Sequence, residues 1–204
     1  MSRPLLITDC DEVLLHMVTP FAGYLDEVHD IDFDPALGDF TAVFRRSDGS
    51  RLSDHEIWPL LDRFFTEEMH RQPPVPGAVE ALEVIGAVAD IIVLTNIGEE
   101  CRHGRIAQLA LHGINHEVLC NTGGKGERVA AVLAEHGAKR CVFVDDLAYH
   151  HASVAEAAPQ VSRLHMIADP RVAAVTPMAP AADARIDHWK DAVPWILARL
   201  RNGA

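Results

Sequence analysis

The sequence predicts an α/β protein, built on a Rossmann-like parallel sheet with helices on both faces and carrying a small, mostly helical cap insertion. From Gly77 onward, short apolar runs alternate with helix-like stretches at the spacing of βα units. The segment before Gly77 follows a single apolar run and breaks this alternation. We therefore assign residues 1–14 and 76–204 to the core and residues 15–75 to the cap insertion.

Composition narrows the class of partner. The 204 residues suffice for one domain with an insertion, and their 30 acidic and 18 basic side chains argue against nucleic acid as a partner. No apolar stretch approaches the roughly 20 residues of a membrane span, and no signal segment precedes the first strand, so we expect no membrane partner and a cytoplasmic location. The four cysteines have no CxxC spacing and should be reduced thiols. The sequence leaves open whether the protein forms a homodimer.

The insertion is predicted to hold two helices, at about residues 21–28 and 53–70. Ser53 is the expected N-cap of the second, with Glu56 at the spacing of a capping box. Between the helices, residues 45–50 are typical of an exposed turn. No part of the insertion has the pattern of a strand.

A stiff break, Pro73-Pro74-Val75-Pro76-Gly77, ends the insertion and is typical of a boundary between lobes. We interpret it as a hinge. The insertion is then expected to close over the site by rotation near residues 14–20 and 75–77.

The remaining chain alternates regularly. We predict helices and strands in turn at about residues 78–88, 91–94, 99–111, 116–120, 126–136, 141–144, 148–158 and 161–167. Residues 168–184 are rich in Pro and Ala and carry no clear pattern. An amphipathic helix at about residues 187–200 ends the chain.

Polar side chains follow the predicted strands, at the point where each strand ends. In an open parallel sheet these ends share one edge, where ligands bind. The first strand, at about residues 4–9, is apolar and ends in two aspartates, which need a cation, a lysine or a covalent reaction to offset their buried charge. We therefore expect the following residues to converge: Asp9, Asp11, Thr95, Lys125, Asp145 and Asp146.

This ordered set of strand-end residues resembles the four motifs of the haloacid dehalogenase-like (HAD) hydrolase superfamily. Residues 76–82 also resemble the lead-in to the second motif of that family. The resemblance spans nearly the whole chain. It implies a Rossmann-like core, and the insertion between the first and second motifs is similar to the family's helical cap of the first type.

The resemblance also implies roles. Asp9 is the expected nucleophile, and Asp11 would protonate the leaving alcohol and then activate water, a role favoured by desolvation or a neighbouring like charge. Mg²⁺ is the implied cofactor, because it lessens the repulsion between an anionic nucleophile and a phosphate. Asp9 and Asp145 would bind it through their side chains, Asp11 through its backbone carbonyl, and Asp146 directly or through water.

Lys125, Thr95 and Asn96 are implied to bind the phosphoryl group. Two features depart from the family pattern. Glu12 stands where glycine is common, and its carboxylate either points away or deepens the negative field at the metal. The proline that often follows the family lysine is absent, but the other lysines lie at no fitting strand end, so Lys125 stays the candidate.

Several of these features have simpler structural interpretations. Thr95 could cap a strand, and the Asp145-Asp146 pair could cap the following helix. The adjacent His150 and His151 could suggest a transition-metal site, but neighbours on a helix do not face one ligand, so we predict a solvated helix surface. In the insertion we favour surface arginines and a small apolar core over substrate recognition for Tyr24, Phe40, Phe44, Trp58, Arg45 and Arg46.

Taken together, the motifs predict a Mg²⁺-dependent phosphomonoester hydrolase that acts on a small phosphorylated metabolite through an aspartyl-phosphate intermediate. A phosphomutase of the same superfamily would share every motif. A catalytically silent HAD-fold binding protein is the alternative from another class. Dehalogenation needs neither a second acid at Asp11 nor a metal-binding Asp145, and is disfavoured.

Overall fold

The structure, a computed structural model, describes residues 2–37 and 43–202. Eight strands lie in these ranges. They are β1 (Leu5–Thr8), β2 (Ile31–Phe33), β3 (Phe44–Arg46), β4 (Asp90–Thr95), β5 (Glu117–Cys120), β6 (Cys141–Asp145), β7 (Ser162–His165) and β8 (Ala184–Arg185). Six of them form one parallel sheet in the order β5-β4-β1-β6-β7-β8. Phe40, which the sequence offered as a cap aromatic, is outside the described residues.

Eight α-helices surround the strands in the described ranges. They are α1 (Val18–His29), α2 (Asp54–Arg63), α3 (Ala78–Gly86), α4 (Arg102–Leu111), α5 (Gly126–His136), α6 (Ala148–Ala157), α7 (Pro170–Val175) and α8 (Trp189–Asn202). None of them combines the length and the apolarity that crossing a membrane requires.

Strand β1 lies inside the sheet between β4 and β6, and all four of its side chains are buried, as its apolar run predicts. Ile7 pairs with Ile92 of β4 on one side and with Phe143 of β6 on the other. Alternate side chains face opposite layers: Leu6 packs with α3 and α8, and Ile7 packs with α5 and α6. The predicted fold class, a Rossmann-like sheet covered on both faces, is confirmed.

The insertion has an aromatic core of its own. Phe21 contacts the rings of Phe33, Phe44 and Phe64 at centroid distances of 6.0, 6.2 and 5.3 Å. These side chains are buried, and Ile97 and Cys101 of the main domain join the same cluster. The cap layer therefore packs directly on the loop after β4, although the boundaries at residues 15 and 75 stay a prediction.

Two predictions for the insertion were wrong. It contains strand character, because β2 and β3 pair as an antiparallel ribbon in which Arg45 faces Asp32. Arg45 and Arg46 therefore belong to β3, and the turn itself follows them. Three-residue strands carry too short a pattern for alternation to be visible in the sequence.

The second insertion helix is also not a single helix. After α2 the chain continues as a π-helical turn, Phe64–Glu68, and then a 3₁₀ turn, Met69–Arg71. Phe64 and Phe65 are adjacent yet both buried, and the wider turn shifts the helix register so that both reach the cap core. The predicted capping box at the start of α2 is present, since the Glu56 carboxylate accepts hydrogen bonds from Ser53.

The stretch that the sequence left without a pattern holds α7 and β8. Asp169 caps α7 by accepting a hydrogen bond from the Arg171 amide at 2.8 Å, and Pro170 occupies the first helical position. An aspartate followed by proline is a helix-start signal. It was present in the sequence, but the helix behind it is too short to show a helical period, and none of its residues is buried.

The two chain segments that join cap and core run side by side. The His16 amide donates to the Pro73 carbonyl at 2.9 Å, and the Val75 amide donates to the Leu14 carbonyl at 2.8 Å. Gly77 follows with a φ of +82°, in the region that favours glycine, directly before α3. The predicted hinge regions are therefore paired with each other, although their rotation stays a prediction.

Candidate active site

Three of the predicted residues lie together because their strands are neighbours. β1 lies between β4 and β6, so Asp9 after β1, Thr95 at the end of β4 and Asp145 at the end of β6 share one sheet edge. The Asp9 amide continues the ladder by donating to the Val144 carbonyl at 2.8 Å. Each side chain is largely buried.

Lys125 joins them from the N-terminal end of α5. Its ammonium lies 2.8 Å from Oδ1 of Asp9 and 2.7 Å from Oδ2 of Asp145, with no exposed surface. Burial opposes the charge on Lys125, but the two aspartates outweigh it and raise the pKa of the ammonium above its ordinary value. A permanent positive charge is thus fixed between the two carboxylates.

The loop that carries Lys125 is shaped by glycines. Gly123 has a φ of +73°, and Gly126 lies so close to α6 that an added Cβ would be 2.1 Å from the carbonyl oxygen of Ser153. The Ser153 hydroxyl in turn accepts a hydrogen bond from the Gly126 amide at 2.9 Å. Close packing of α5 on α6 holds the lysine, and no proline is needed.

An acidic cluster surrounds the ammonium. Ligand oxygens of Asp9, Asp145 and Asp146 all lie within 4.8 Å of one another. If all are ionised, one lysine leaves two negative charges without compensation, and such buried charge is costly unless a cation binds. Carboxylate oxygens are the ligands that Mg²⁺ prefers. Lys125 and the Cys10 amide both bind Oδ1 of Asp9, so neither of them occupies Oδ2. The residues therefore fit a divalent cation.

Burial and mutual repulsion act on the acids in this cluster. Burial raises the pKa of Asp9 to about 6, with Lys125 opposing the rise and Asp145 adding to it. Burial likewise raises the pKa of Asp145 against the opposing charge of Lys125. The folded protein without metal consequently binds protons here more tightly than the unfolded chain.

Asp11 has a partner that the sequence analysis missed. Nη2 of Arg105, a residue of α4 with no exposed surface, lies 2.9 Å from Oδ1 and 3.0 Å from Oδ2 of Asp11. Gln72 adds a third donor to Oδ1 at 2.6 Å. We expected desolvation or a like charge near Asp11, but Arg105, which binds both of its oxygens, carries the opposite charge. The available signal was the helical spacing of Arg105, Gln108 and Leu109, which puts polar groups on the buried face of α4.

The remaining predicted phosphate ligands differ from each other. The Thr95 hydroxyl is buried and lies 3.4 Å from Oδ2 of Asp11, at the site itself. The Asn96 side chain instead braces loops: it donates to the Gly123 carbonyl and accepts from Asn121, both at 2.9 Å. A phosphate role for Asn96 stays a prediction.

The sequence matches no protein-family profile and no curated protein. Solved structures do match. A predicted phosphoglycolate phosphatase from Haemophilus somnus is similar with a TM-score of 0.69 and 16% identity, over 95% of this chain and 97% of that one. The fold is that of the HAD-like hydrolases. A candidate HAD hydrolase from Bacillus subtilis, YfnB, bound to magnesium, is similar with a TM-score of 0.67 and 14% identity, over 96% of this chain and 99% of that one. A candidate β-phosphoglucomutase from Thermotoga maritima is similar with a TM-score of 0.63 and 14% identity, over 96% of this chain and 99% of that one.

Glu12 stands at the common glycine position of the HAD pattern, and its φ of +57° is a conformation that suits glycine. Its carboxylate is bound by backbone amides, while its charge still helps to raise the pKa of Asp146. One oxygen accepts hydrogen bonds from the amides of Met17 and Val18 at the start of α1, and the other from the amide of Asp169. Glu12 thus ties the first cap helix to the loop before α7.

The prediction for the paired histidines was wrong. His150 and His151 are buried rather than solvated, and burial lowers the pKa of each imidazole to about 4. His151 donates to the backbone carbonyl of Asp145 at 3.0 Å, and His165 donates to that of Asp146 at 2.8 Å. His151 on α6 and His165 on β7 therefore support the backbone of Asp145 and Asp146 from behind.

Two surface grooves among the described residues lie away from these groups. One, of about 420 Å³, is on the cap between Ile31 and Arg63, and the other, of about 320 Å³, lies beside α3. Neither is lined by the acidic cluster or by Asp11.

We expect metal-free protein to show a pH dependence set by Asp9. Because its folded pKa of about 6 exceeds the ordinary value, ionising it as pH rises from about 4 to about 6 lowers stability. In urea unfolding, the stability of Asp9→Asn relative to the wild type should be higher at pH 7.5 than at pH 4.5 by about 2 kcal/mol. Added Mg²⁺ should reverse the difference at pH 7.5. Equal pH profiles for the two proteins would contradict this.

Gly126→Ala should disturb the lysine loop, since the new methyl group meets backbone rather than a movable side chain. We expect a loss of at least about 2 kcal/mol of stability and a lower Mg²⁺ affinity. Gly23→Ala, in open space on α1, is the matched control and should be neutral or stabilising. Similar thermal melts for the two variants would count against close packing as the determinant.

Glu12→Gln should lower the free energy of unfolding by about 1–3 kcal/mol. The glutamine side chain would place N–H donors against backbone amides that now donate hydrogen bonds to the Glu12 carboxylate. Glu135→Gln on the exposed surface of α5 is the control. Thermal unfolding of both variants measures the difference. An unchanged Glu12→Gln midpoint would show that these hydrogen bonds contribute little.

Proposed function

We propose that this protein is a Mg²⁺-dependent phosphomonoester hydrolase. The single observation behind the proposal is the Lys125 ammonium held between Asp9 and Asp145, beside a cluster suited to a divalent cation. Its solved structural neighbours are described as HAD hydrolases or as a related mutase, which supports phosphoryl-transfer chemistry at a coarse level.

In this proposal Asp9 attacks the phosphorus atom of the substrate. One carboxylate oxygen forms the new P–O bond, and the ester oxygen of the alcohol leaves. Mg²⁺ held by Asp9, Asp145, Asp146 and the Asp11 carbonyl would offset the charge of the phosphate. Lys125 holds Asp9 in place through Oδ1 and adds a fixed positive charge. Thr95 is positioned to donate a hydrogen bond to a phosphoryl oxygen.

Asp11 has the proton-transfer role. It would give a proton to the departing alkoxide and later take one from the water that cleaves the aspartyl-phosphate. In the structure Oδ1 of Asp11 accepts hydrogen bonds from Arg105 and Gln72, and Oδ2 accepts them from Arg105 and Thr95, so both lone pairs of each oxygen are engaged. The carboxylate must therefore leave this arrangement before the first step.

The cap would exclude water from the nucleophile while the intermediate forms. Phe65 and Gln72 from the insertion already reach Arg105 of the core, so cap and acid are in contact. Rotation about the paired linkers, near His16 and Pro73, is the proposed route by which substrate enters.

We also propose a cytoplasmic location for the protein, as the sequence predicts.

A phosphomutase is the second candidate. It would use the same nucleophile and lysine, and the likeness to the candidate β-phosphoglucomutase from Thermotoga maritima favours it over other classes. A mutase would convert one sugar phosphate isomer into another with little release of inorganic phosphate, which distinguishes it in one assay.

We expect magnesium-dependent release of phosphate from p-nitrophenyl phosphate. Asp9→Asn should lower the rate by at least about a thousandfold, because in this proposal the Asp9 carboxylate forms the intermediate. Asp26→Asn, on the exposed face of α1, should keep the wild-type rate. Equal rates for wild type and Asp9→Asn, or no effect of removing Mg²⁺ with a chelator, would refute the assignment.

A further inference from the structure

Arg105 is a buried cation with an incomplete set of partners. Its guanidinium has no exposed surface, and Asp11 is the carboxylate that pairs with it among the described residues. Its Nη1 atom donates to uncharged groups only, the sulfur of Cys10 and the amide oxygens of Gln72 and Gln108. Its Nε atom is buried with no hydrogen-bond partner.

This arrangement conflicts with the proposed role of Asp11. To protonate a leaving group, Asp11 must give up its hydrogen bonds to Arg105. A buried guanidinium that loses its carboxylate is strongly unfavourable, because it has left water and gained no other counter-charge. Proton transfer by Asp11 is consequently easier if another anion takes its place on Arg105.

The substrate is the natural source of that anion. Arg105 contacts the same carboxylate that would protonate the leaving oxygen, so a group one or two carbon atoms beyond that oxygen is within its reach. A guanidinium offers a planar, bidentate site suited to a carboxylate or a phosphate. The free Nε–H supplies a further donor that Asp11 does not use.

Access to Arg105 depends on the cap. Gln72 and the Phe65 ring, whose centroid lies 5.5 Å from the guanidinium carbon, cover it from the insertion, and Gln108 is bound to the carbonyl of Met69. Opening the cap would withdraw Gln72 and Phe65, break the hydrogen bond between Gln108 of α4 and Met69, and expose the guanidinium. The guanidinium, which Asp11, Gln72 and Phe65 contact in this structure, could in this way become accessible to a substrate.

We infer that Arg105 binds a second anionic group of the substrate, a carboxylate or a phosphate placed one or two carbons from the ester oxygen, and that this binding releases Asp11 for proton transfer. The inference rests on the proposed function and narrows its substrate class to small phosphomonoesters with two anionic groups. Arg105 then selects the substrate and couples selection to the state of the acid.

Three probes that differ only beyond the first carbon test this: ethyl phosphate, 2-phosphoglycolate and ethylene glycol bisphosphate. With Mg²⁺, the wild type should favour at least one charged probe over ethyl phosphate by at least about a hundredfold in kcat/KM, since a buried polar group left unpaired penalises the neutral analogue. The charged probe that is preferred identifies carboxylate or phosphate as the bound group.

Arg105→Gln should abolish this preference, and Arg105→Lys, which keeps the charge but not the bidentate geometry, should retain part of it. A purely structural role would lower kcat/KM for all three probes by one factor and leave their ratio unchanged, and would overturn the inference. So would a wild type that treats the three probes alike while still hydrolysing them and p-nitrophenyl phosphate. A wild type that hydrolyses none of the four would overturn the proposed function and the inference together.

Discussion

The buried ion pairs of Lys125 are the constraint on which the rest of the site depends. Two carboxylates from neighbouring strands, Asp9 and Asp145, lie within hydrogen-bonding distance of one ammonium that has no contact with water. Removing that ammonium would leave buried negative charge that the fold cannot offset. The glycine loop, the close packing of α5 on α6 and the histidines behind the Asp145 and Asp146 carbonyls all serve to keep these charges in register.

A second set of contacts joins this rigid centre to the cap. Glu12 holds the start of α1 and the loop before α7, while Arg105 joins Asp11 of the core to Gln72 of the insertion. These contacts involve Asp11 and Glu12, which follow Asp9 closely in the chain. Under the proposed function, a movement of the cap would change the contacts of Asp11 and would thereby couple substrate entry to proton transfer.

The order of apolar runs and the polar residues at their ends were enough to predict the sheet and the convergence of Asp9, Thr95, Lys125 and Asp145. Periodicity and strand-end position are local signals, and a parallel sheet converts them into proximity. What the sequence did not reveal depends on contacts between distant segments. The pairing of Arg105 with Asp11, the burial of His151 and the direction of the Glu12 carboxylate each require knowing how α4, α6 and the cap pack. Those contacts follow from tertiary structure, which no short pattern encodes.

The central claim is that Asp9, fixed by Lys125, forms the covalent intermediate. Quenching the enzyme in acid during turnover and reducing it with borohydride converts an aspartyl-phosphate to homoserine, which peptide mass spectrometry locates. The account predicts homoserine at position 9, dependent on substrate and on Mg²⁺. Homoserine at position 11, or steady release of phosphate with no modified aspartate, would contradict it.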